Sequence, residues 1–496
     1  MIPPAQREVA AYLADLAGAA PIQTHISAVF LGADIVWKLK KAVDLGFVDF
    51  TTLAAREAMT RRELALNAPA APGMYRDVAA VVRRPGGLGL TAAPGPGEVV
   101  LDYVLRMARV PAGDFLDRMA AEGRLGAELL RAVADAVAAY HARLEPADAD
   151  PVAGLGAVIE GNLRAGLSAG LDPGRLAAIA AACRAELGAR APWLAARRAG
   201  GFIRRAHGDL HLGNLCLWQG RPVAFDALEF DEGLATIDLG YDLAFLLMDL
   251  GHRLGRAGAN LVLNRYVARG GDAALMVGLP LFLSLRAMVR AHVVAASGGA
   301  AAAAGAYLDD ADAALADAGG RAVVVAIGGL PGSGKSTLAA ALAPDLGAAP
   351  GALILRSDAI RKRLHGAAPE QRLGADAYGA AANRATDAAL LAGLDAALGG
   401  RHAVIMDATF MDPGLRAAAQ ARARAAGARF VGLWLTAPLA VLEQRVGARV
   451  GDASDADVAV LRAAAGRDPG PGNWRAVDAT DAGRALAEAR ALAGGC

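Results

Sequence analysis

Residues 329–336 read GLPGSGKS, a complete GxxxxGK(S/T) pattern, set directly between an apolar run, RAVVVAIGG, and a helix-forming run, TLAAALA. No other feature of the chain constrains its fold as strongly. A buried strand that ends in a glycine turn and restarts as a helix is the opening unit of a parallel α/β sheet. Glycines let the backbone curl until several N–H groups point inward at an anion, and the helix N-terminus adds favourable potential at the same place. On this reading Gly329, Gly332, Ser333, Gly334 and Thr337 shape a phosphate cradle, Lys335 reaches the β- and γ-phosphates of ATP, and Ser336 holds Mg²⁺.

The residues that follow add chemistry to the cradle. LILRSDAIRKRL places Arg356, Asp358 and Arg361 at the end of the second strand, and ligands gather at the carboxyl ends of strands in such sheets. A carboxylate there can orient or deprotonate an acceptor hydroxyl, and arginines can clamp an anionic acceptor. Asp358 is also well placed to cap the helix that follows it. HAVIMDATF ends a third apolar strand at Asp407, which suits Mg²⁺ or its water shell. Arg445 and Arg449 stand four apart on one helix face, where two cations can close over phosphates as a lid or simply form a solvated basic face. Residues 322–480 together resemble the small P-loop kinases, a group that includes polynucleotide kinase, zeta toxin and gluconate kinase. The resemblance implies that Asp358 is the acceptor base and that Arg445 and Arg449 form the lid.

The N-terminal part carries a second motif, HGDLHLGN over His207–Asn214, followed by PVAFD ending at Asp226. Asp209 and Asn214 have the interval of the protein-kinase catalytic loop, where the Asp accepts a hydroxyl proton and the Asn holds a metal. A loop, a strand and a returning strand bring three oxygen ligands around Mg²⁺ and a γ-phosphate, and Asp226 stands where the second metal carboxylate is needed. The motif resembles that of the aminoglycoside phosphotransferase family, and the likeness covers roughly residues 20–300. It implies that Lys38 in IVWKLK pairs with phosphates, with Lys40 on the same strand face as the rival. It further implies that Glu63 is the lysine's partner, that Met107 lies at an adenine-reading hinge, and that Asp242 supports the catalytic loop. His207 reads as a brace for the loop, His211 as a hydrogen-bonding histidine, and Glu229 as a third acid near the metal or a surface residue. Between the two strands before Lys38 only Gly32 stands where a glycine-rich loop is expected.

The low-complexity stretch GGAAAAAGAYLDDADAALADAGG marks the boundary between these parts. The expected architecture is an α+β, bilobal, kinase-like domain over 1–300, a linker over 301–320, and an α/β P-loop domain with a mainly parallel sheet over 321–496. The whole order resembles a bacterial fusion of an aminoglycoside-phosphotransferase-like domain with a P-loop kinase or ATPase domain.

The expected activity is ATP-dependent phosphoryl transfer to a small hydroxylated acceptor at each site. One alternative is a nucleotide-sensing N-terminal part that regulates the other; a second is a nucleic-acid 5′-hydroxyl kinase in the C-terminal part. A net charge of +1 and 5% aromatic residues give little support for a strand-binding groove. Cys183, Cys216 and Cys496 have no metal-like spacing, which fits a reduced, cytoplasmic protein. The apolar stretch 279–297 contains Arg286, Arg290 and His292, which fits a buried helix and not a membrane span.

Overall fold

The structure is a computed structural model that describes residues 1–46, 48–316, 322–448, 453–470 and 472–494. The chain divides into two compact units. One comprises Met1–Gly126, Leu144–Ala147 and Ile203–Ile237; the other comprises Ala127–Arg143, Asp148–Phe202 and Asp238–Cys496.

The first unit is built on a six-stranded sheet. In spatial order its strands are Ile22–Gln23, Ser27–Leu31, Ile35–Lys40, Val99–Ala108, Tyr75–Arg84 and Gly87–Thr91. Neighbours run antiparallel, so side chains alternate between the two faces. Trp37 and Leu39 join Phe30, Val81 and Val104 in a core covered by Val9 and Leu13 of the helix Arg7–Ala17. Lys38 and Lys40 therefore point to the opposite face, where the helix Leu53–Asn67 lies. Thr52 caps that helix by accepting a hydrogen bond from the Ala55 N–H at 3.2 Å.

The buried residues of Leu53–Asn67 are Arg56, Thr60, Glu63 and Asn67, a polar stripe at helical spacing. Each member finds a partner. Arg56 Nε lies 2.9 Å from Asp102 Oδ1, Thr60 donates to the Arg56 carbonyl at 2.7 Å, and Asn67 donates to the Glu63 carbonyl at 2.9 Å. Buried polar groups are tolerable only when satisfied in this way.

The second unit holds a bundle of helices and a five-stranded sheet. The sheet order is Leu353–Arg356, Val404–Asp407, Val323–Gly329, Arg429–Thr436, Arg475–Asp478, with every pair parallel. This is the α/β sheet expected from the glycine motif. Val325, Ile327, Leu338, Leu342, Ile405 and Leu433 form its core.

The stretch 301–316 is a helix, Ala301–Ala316, with Ala304, Tyr307 and Leu308 buried. The helix Leu279–Ala296 has the length and hydropathy to cross a membrane, but most of it is buried inside the protein. Its Arg286 guanidinium stacks 3.8 Å from the Tyr241 ring and donates to the Tyr241 carbonyl at 3.1 Å.

Candidate functional site

In the first unit the catalytic-loop motif folds as a short 3-10 turn, Leu212–Asn214, leading into the hairpin Leu215–Trp218 and Arg221–Ala224. Hairpin pairing returns the chain so that the Phe225 N–H meets the Asn214 carbonyl at 3.0 Å, which brings Asp226 beside Asn214. Asn214 Nδ2 donates to Asp209 Oδ2 at 2.8 Å, fixing the carboxylate proposed as the base. His207 braces the loop from below. Its Nε2 bonds the Phe225 carbonyl at 2.9 Å, and its Nδ1 accepts the Asp209 N–H at 3.3 Å. His211 accepts the Gly213 N–H at 3.0 Å and caps the turn.

Lys38 Nζ lies 2.7 Å from Glu63 Oε1 and 2.5 Å from Asp226 Oδ1. Lys40 Nζ lies 2.7 Å from Glu63 Oε2 and bonds Glu229. The two lysines differ in access: the Lys38 side chain is 13% exposed and that of Lys40 only 1%. Asp226 is 40% exposed, so Lys38 faces the open side of the site and Lys40 is an internal strut. Burial alone would lower Lys38, but the carboxylates of Asp226, Glu63 and Glu229 outweigh it and raise its pKa. For Glu63 burial acts upward, and the two ammonium groups overcome it, pulling its pKa down to about 2.

Asp226 adopts φ 61°, left-handed for a non-glycine residue. Its N–H bonds the Tyr75 hydroxyl at 2.9 Å, and the next N–H, of Ala227, bonds Asn67 Oδ1 at 2.8 Å. Tyr75, Asn67 and the Lys40–Glu229 pair escape sequence reasoning because their roles come from partners some 150–190 positions away. Met107 sits near the end of Val99–Ala108, opposite Val36. The glycine-rich cover is absent here: Gly32 N–H bonds the Ile35 carbonyl at 2.9 Å in a short hairpin turn. Asp242 lies in the second unit, fully buried, with its Oδ2 3.0 Å from His141 Nε2.

In the second unit the phosphate loop joins Val323–Gly329 to the helix Lys335–Leu342. Gly332 and Gly334 have φ of 82° and 88°, which favour glycine. A Cβ on Gly332 would meet the Leu442 carbonyl at 2.7 Å, whereas one on Gly334 would point into open space. Lys335 Nζ bonds the carbonyls of Gly329 and Leu330 at 3.0 and 2.9 Å. Thr337 follows on the same helix and lines the adjoining cavity. That cavity, about 930 Å³, is lined by Gly334, Lys335, Ser336, Asp358, Asp407 and Arg445 among others.

Arg356 links two carboxylates, at 3.9 Å from Asp358 Oδ2 and 3.6 Å from Asp407 Oδ2. Burial raises the Asp358 carboxyl, with the like charge of Asp407 adding to it and Arg356 and Lys335 opposing. Arg445 donates to the carbonyls of Ala479 and Thr480, both at 2.9 Å. Arg449 lies outside the described residues. Lys362, also unnoticed in the sequence, is buried against Asp455 Oδ1 at 2.7 Å. Asp455 in turn takes the Tyr378 hydroxyl at 2.5 Å, tying two segments of the cavity wall together.

The oxygen donors suit Mg²⁺. Asp407 is 3% exposed, yet among the described residues its Oδ2 accepts no hydrogen bond and the buried Ser333 hydroxyl beside the glycine cradle meets no partner. Among the described residues no cluster of three or more His, Cys, Asp or Glu could hold a metal. Mg²⁺ needs none, since it takes one or two protein ligands and completes its shell with phosphate and water.

The AAA domain family matches residues 324–467. Two curated proteins match almost end to end: uncharacterized protein Mb2027c of Mycobacterium bovis and uncharacterized protein Rv2004c of Mycobacterium tuberculosis. Each is 31% identical over 462 residues, spanning 90% of this chain and 89% of its own. The chain belongs to their family. This member also has similarities among solved structures. A gluconokinase from Sinorhizobium meliloti is 24% identical, with a TM-score of 0.24, and covers 34% of this chain and 93% of its own. A choline kinase from Cryptosporidium parvum is 10% identical, with a TM-score of 0.37, and covers 60% of this chain and 85% of its own. In this family member, a kinase-like lysine–glutamate–aspartate site and a P-loop site stand in one chain. Both are the equipment of phosphotransferase enzymes.

Proposed function

We propose that this chain is a bifunctional ATP-dependent phosphotransferase acting on small hydroxylated acceptors. The observation that carries the reading is the arrangement of Lys38 between Glu63 and Asp226, alongside a separate P-loop with its own lysine and carboxylates. ATP·Mg²⁺, when bound, supplies the transferable γ-phosphoryl group. In the first site Lys38, oriented by Glu63, neutralises phosphate charge; Asn214 and Asp226 hold the metal; Met107 lies beside the nucleotide base; Asp209 takes the acceptor's proton. In the second, Lys335 and the loop N–H groups bind phosphates, Ser336 and Asp407 hold the metal, and Asp358 takes the proton. A carboxyl raised by burial is better matched to proton abstraction near neutral pH than an ordinary one. Arg445 and Arg449 complete the charge around the transferring group.

We place the junction of the two modules at 301–320 and the protein in the cytoplasm. The buried free thiols Cys183 and Cys216 support the latter. ATP turnover across a metabolite panel, for wild type, Asp209→Ala and Lys335→Ala, tests the activity. Each substitution should abolish a different acceptor-dependent turnover, and the proposal fails if neither changes any.

The hairpin turn at Gly32 favours a second reading, in which the first site senses nucleotide without consuming it. Calorimetric binding by full-length Lys335→Ala, with no acceptor-dependent turnover, would support sensing; acceptor-dependent turnover would exclude it.

A further inference from the structure

The strand Leu353–Arg356 is the edge of the parallel sheet and leads directly into Asp358. Its Leu353 N–H points inward and bonds the Ala403 carbonyl at 3.0 Å. By alternation the Ile354 N–H and the Ala352 carbonyl point outward, where no strand of the described residues meets them. A single side chain satisfies both. Asn264 Oδ1 accepts the Ile354 N–H at 2.6 Å, and Asn264 Nδ2 donates to the Ala352 carbonyl at 3.1 Å. Its carboxamide takes the place of one peptide unit of a missing neighbouring strand. Asn260, one turn earlier, reinforces it by donating to the Ala352 carbonyl at 3.0 Å.

Asn260 and Asn264 lie on the helix Arg256–Gly270, within the region the sequence assigns to the N-terminal module. The next residue on that helix, Arg265, bonds Asp135 at 2.7 Å and Glu370 at 2.6 Å. Glu370 lies two positions before Arg372, which lines the large cavity. Asn264 and Arg265 also line a second cavity of about 590 Å³, whose other walls include Ser336, Arg356 and Asp407. The helix thus grips both the strand that ends in Arg356 and the loop that carries Arg372.

We propose that Asn264 is a positioning residue for the P-loop site, holding the edge strand so that Arg356 and Asp358 face the phosphate loop. The inference rests on the reading of this site as a phosphoryl-transfer centre. Asn264 touches no part of the phosphate loop itself in any hydrogen bond of the structure's described residues. Nucleotide affinity and turnover should therefore separate.

The test uses the full chain with Asp209→Ala, to silence the first site, and compares Asn264→Leu and Asn264→Asp. Asn264→Leu should speed amide exchange over Leu353–Asp358 about tenfold. It should lower kcat for Mg²⁺- and acceptor-dependent ATP turnover about tenfold and leave KM for ATP within about twofold. Asn264→Asp keeps the acceptor for the Ile354 N–H but turns a carboxylate oxygen towards the Ala352 carbonyl, so it should recover only part of the exchange protection and of kcat. Unchanged exchange in Asn264→Leu, an unchanged kcat, or a KM that rises in step with the fall in kcat would overturn the proposal. If the parent chain turns over no ATP with any acceptor of the metabolite panel, the functional reading of the site falls, and the exchange experiment alone decides whether Asn264 holds the strand.

Discussion

The Tyr75 hydroxyl lies 2.9 Å from the backbone N–H of Asp226 and holds that residue in a left-handed conformation, φ 61°. Left-handed backbone at a non-glycine residue costs about 1–2 kcal/mol and persists only when the surroundings fix it. Tyr75→Phe removes the acceptor of a part-buried N–H, at a cost of about 1 kcal/mol. ATP turnover at the first site, measured with Lys335→Ala as background, should fall about tenfold or more. Turnover equal to that of the parent would show that Asp226 needs no such support.

The two lysines of IVWKLK should respond differently to removal. Lys40→Met leaves Glu229 buried without its cation and Glu63 with one cation fewer, and breaking a buried pair costs about 3–5 kcal/mol. Lys38→Met leaves Glu63 still paired to Lys40 and Asp226 open to water, so its stability cost should be smaller. Chemical denaturation should rank Lys40→Met as the less stable protein, while Lys38→Met loses nucleotide-dependent turnover at the first site. The reverse ranking would exchange the roles assigned to the two.

Saturating ATP·Mg²⁺ should stabilise the second unit, by about 2.7 kcal/mol at a hundredfold excess over Kd. Lys335→Ala should remove most of that gain. Gly332→Ala should do the same by a different route, since its Cβ would meet the Leu442 carbonyl at 2.7 Å with φ at 82°. A thermal-shift titration checks both, and an undiminished shift in Lys335→Ala would place the nucleotide elsewhere.

His402 supplies a pH prediction. It is 2% exposed, and among the described residues neither ring nitrogen has a hydrogen-bond partner. Burial, then the charges of Arg190 and Arg256, push its pKa down to about 4. In the unfolded chain it returns to about 6.5. Between those values the unfolded state binds the additional proton, so stability present above pH 6.5 is lost as pH falls through about 4. The loss is on the order of 3 kcal/mol. His402→Leu should flatten the change in denaturation midpoint between pH 7 and pH 4.5; a slope equal to that of wild type would assign the pH dependence to other groups.

The glycine motif, the interval between Asp209 and Asn214, and the apolar runs ending in Asp226, Arg356 and Asp407 were legible from the sequence because each is local. A strand, a turn and a helix within about a dozen residues follow from backbone conformation and hydrophobic period alone. The polar face of Leu53–Asn67 was not legible as a buried face, because hydropathy assigns Arg56, Glu63 and Asn67 to solvent. Only the folded sheet supplies the partners that make their burial possible. The choice between Lys38 and Lys40 was open for the same reason. Both lie on one strand face, and their difference in exposure depends on Glu229 and Asp226, nearly 190 positions further on.

The sequence by itself therefore determined the glycine loop, the parallel sheet that carries it, and the residue types that the two proposed sites would use. Tertiary structure alone decided how those residues are held: Tyr75 and Asn67 on the Asp226 backbone, Lys362 on Asp455, Asn264 on the open edge of Leu353–Arg356. The physical reason is that an unmet backbone or charged group can be satisfied by any donor or acceptor the fold brings within about 3 Å. Proximity of that kind leaves no periodic trace along the chain.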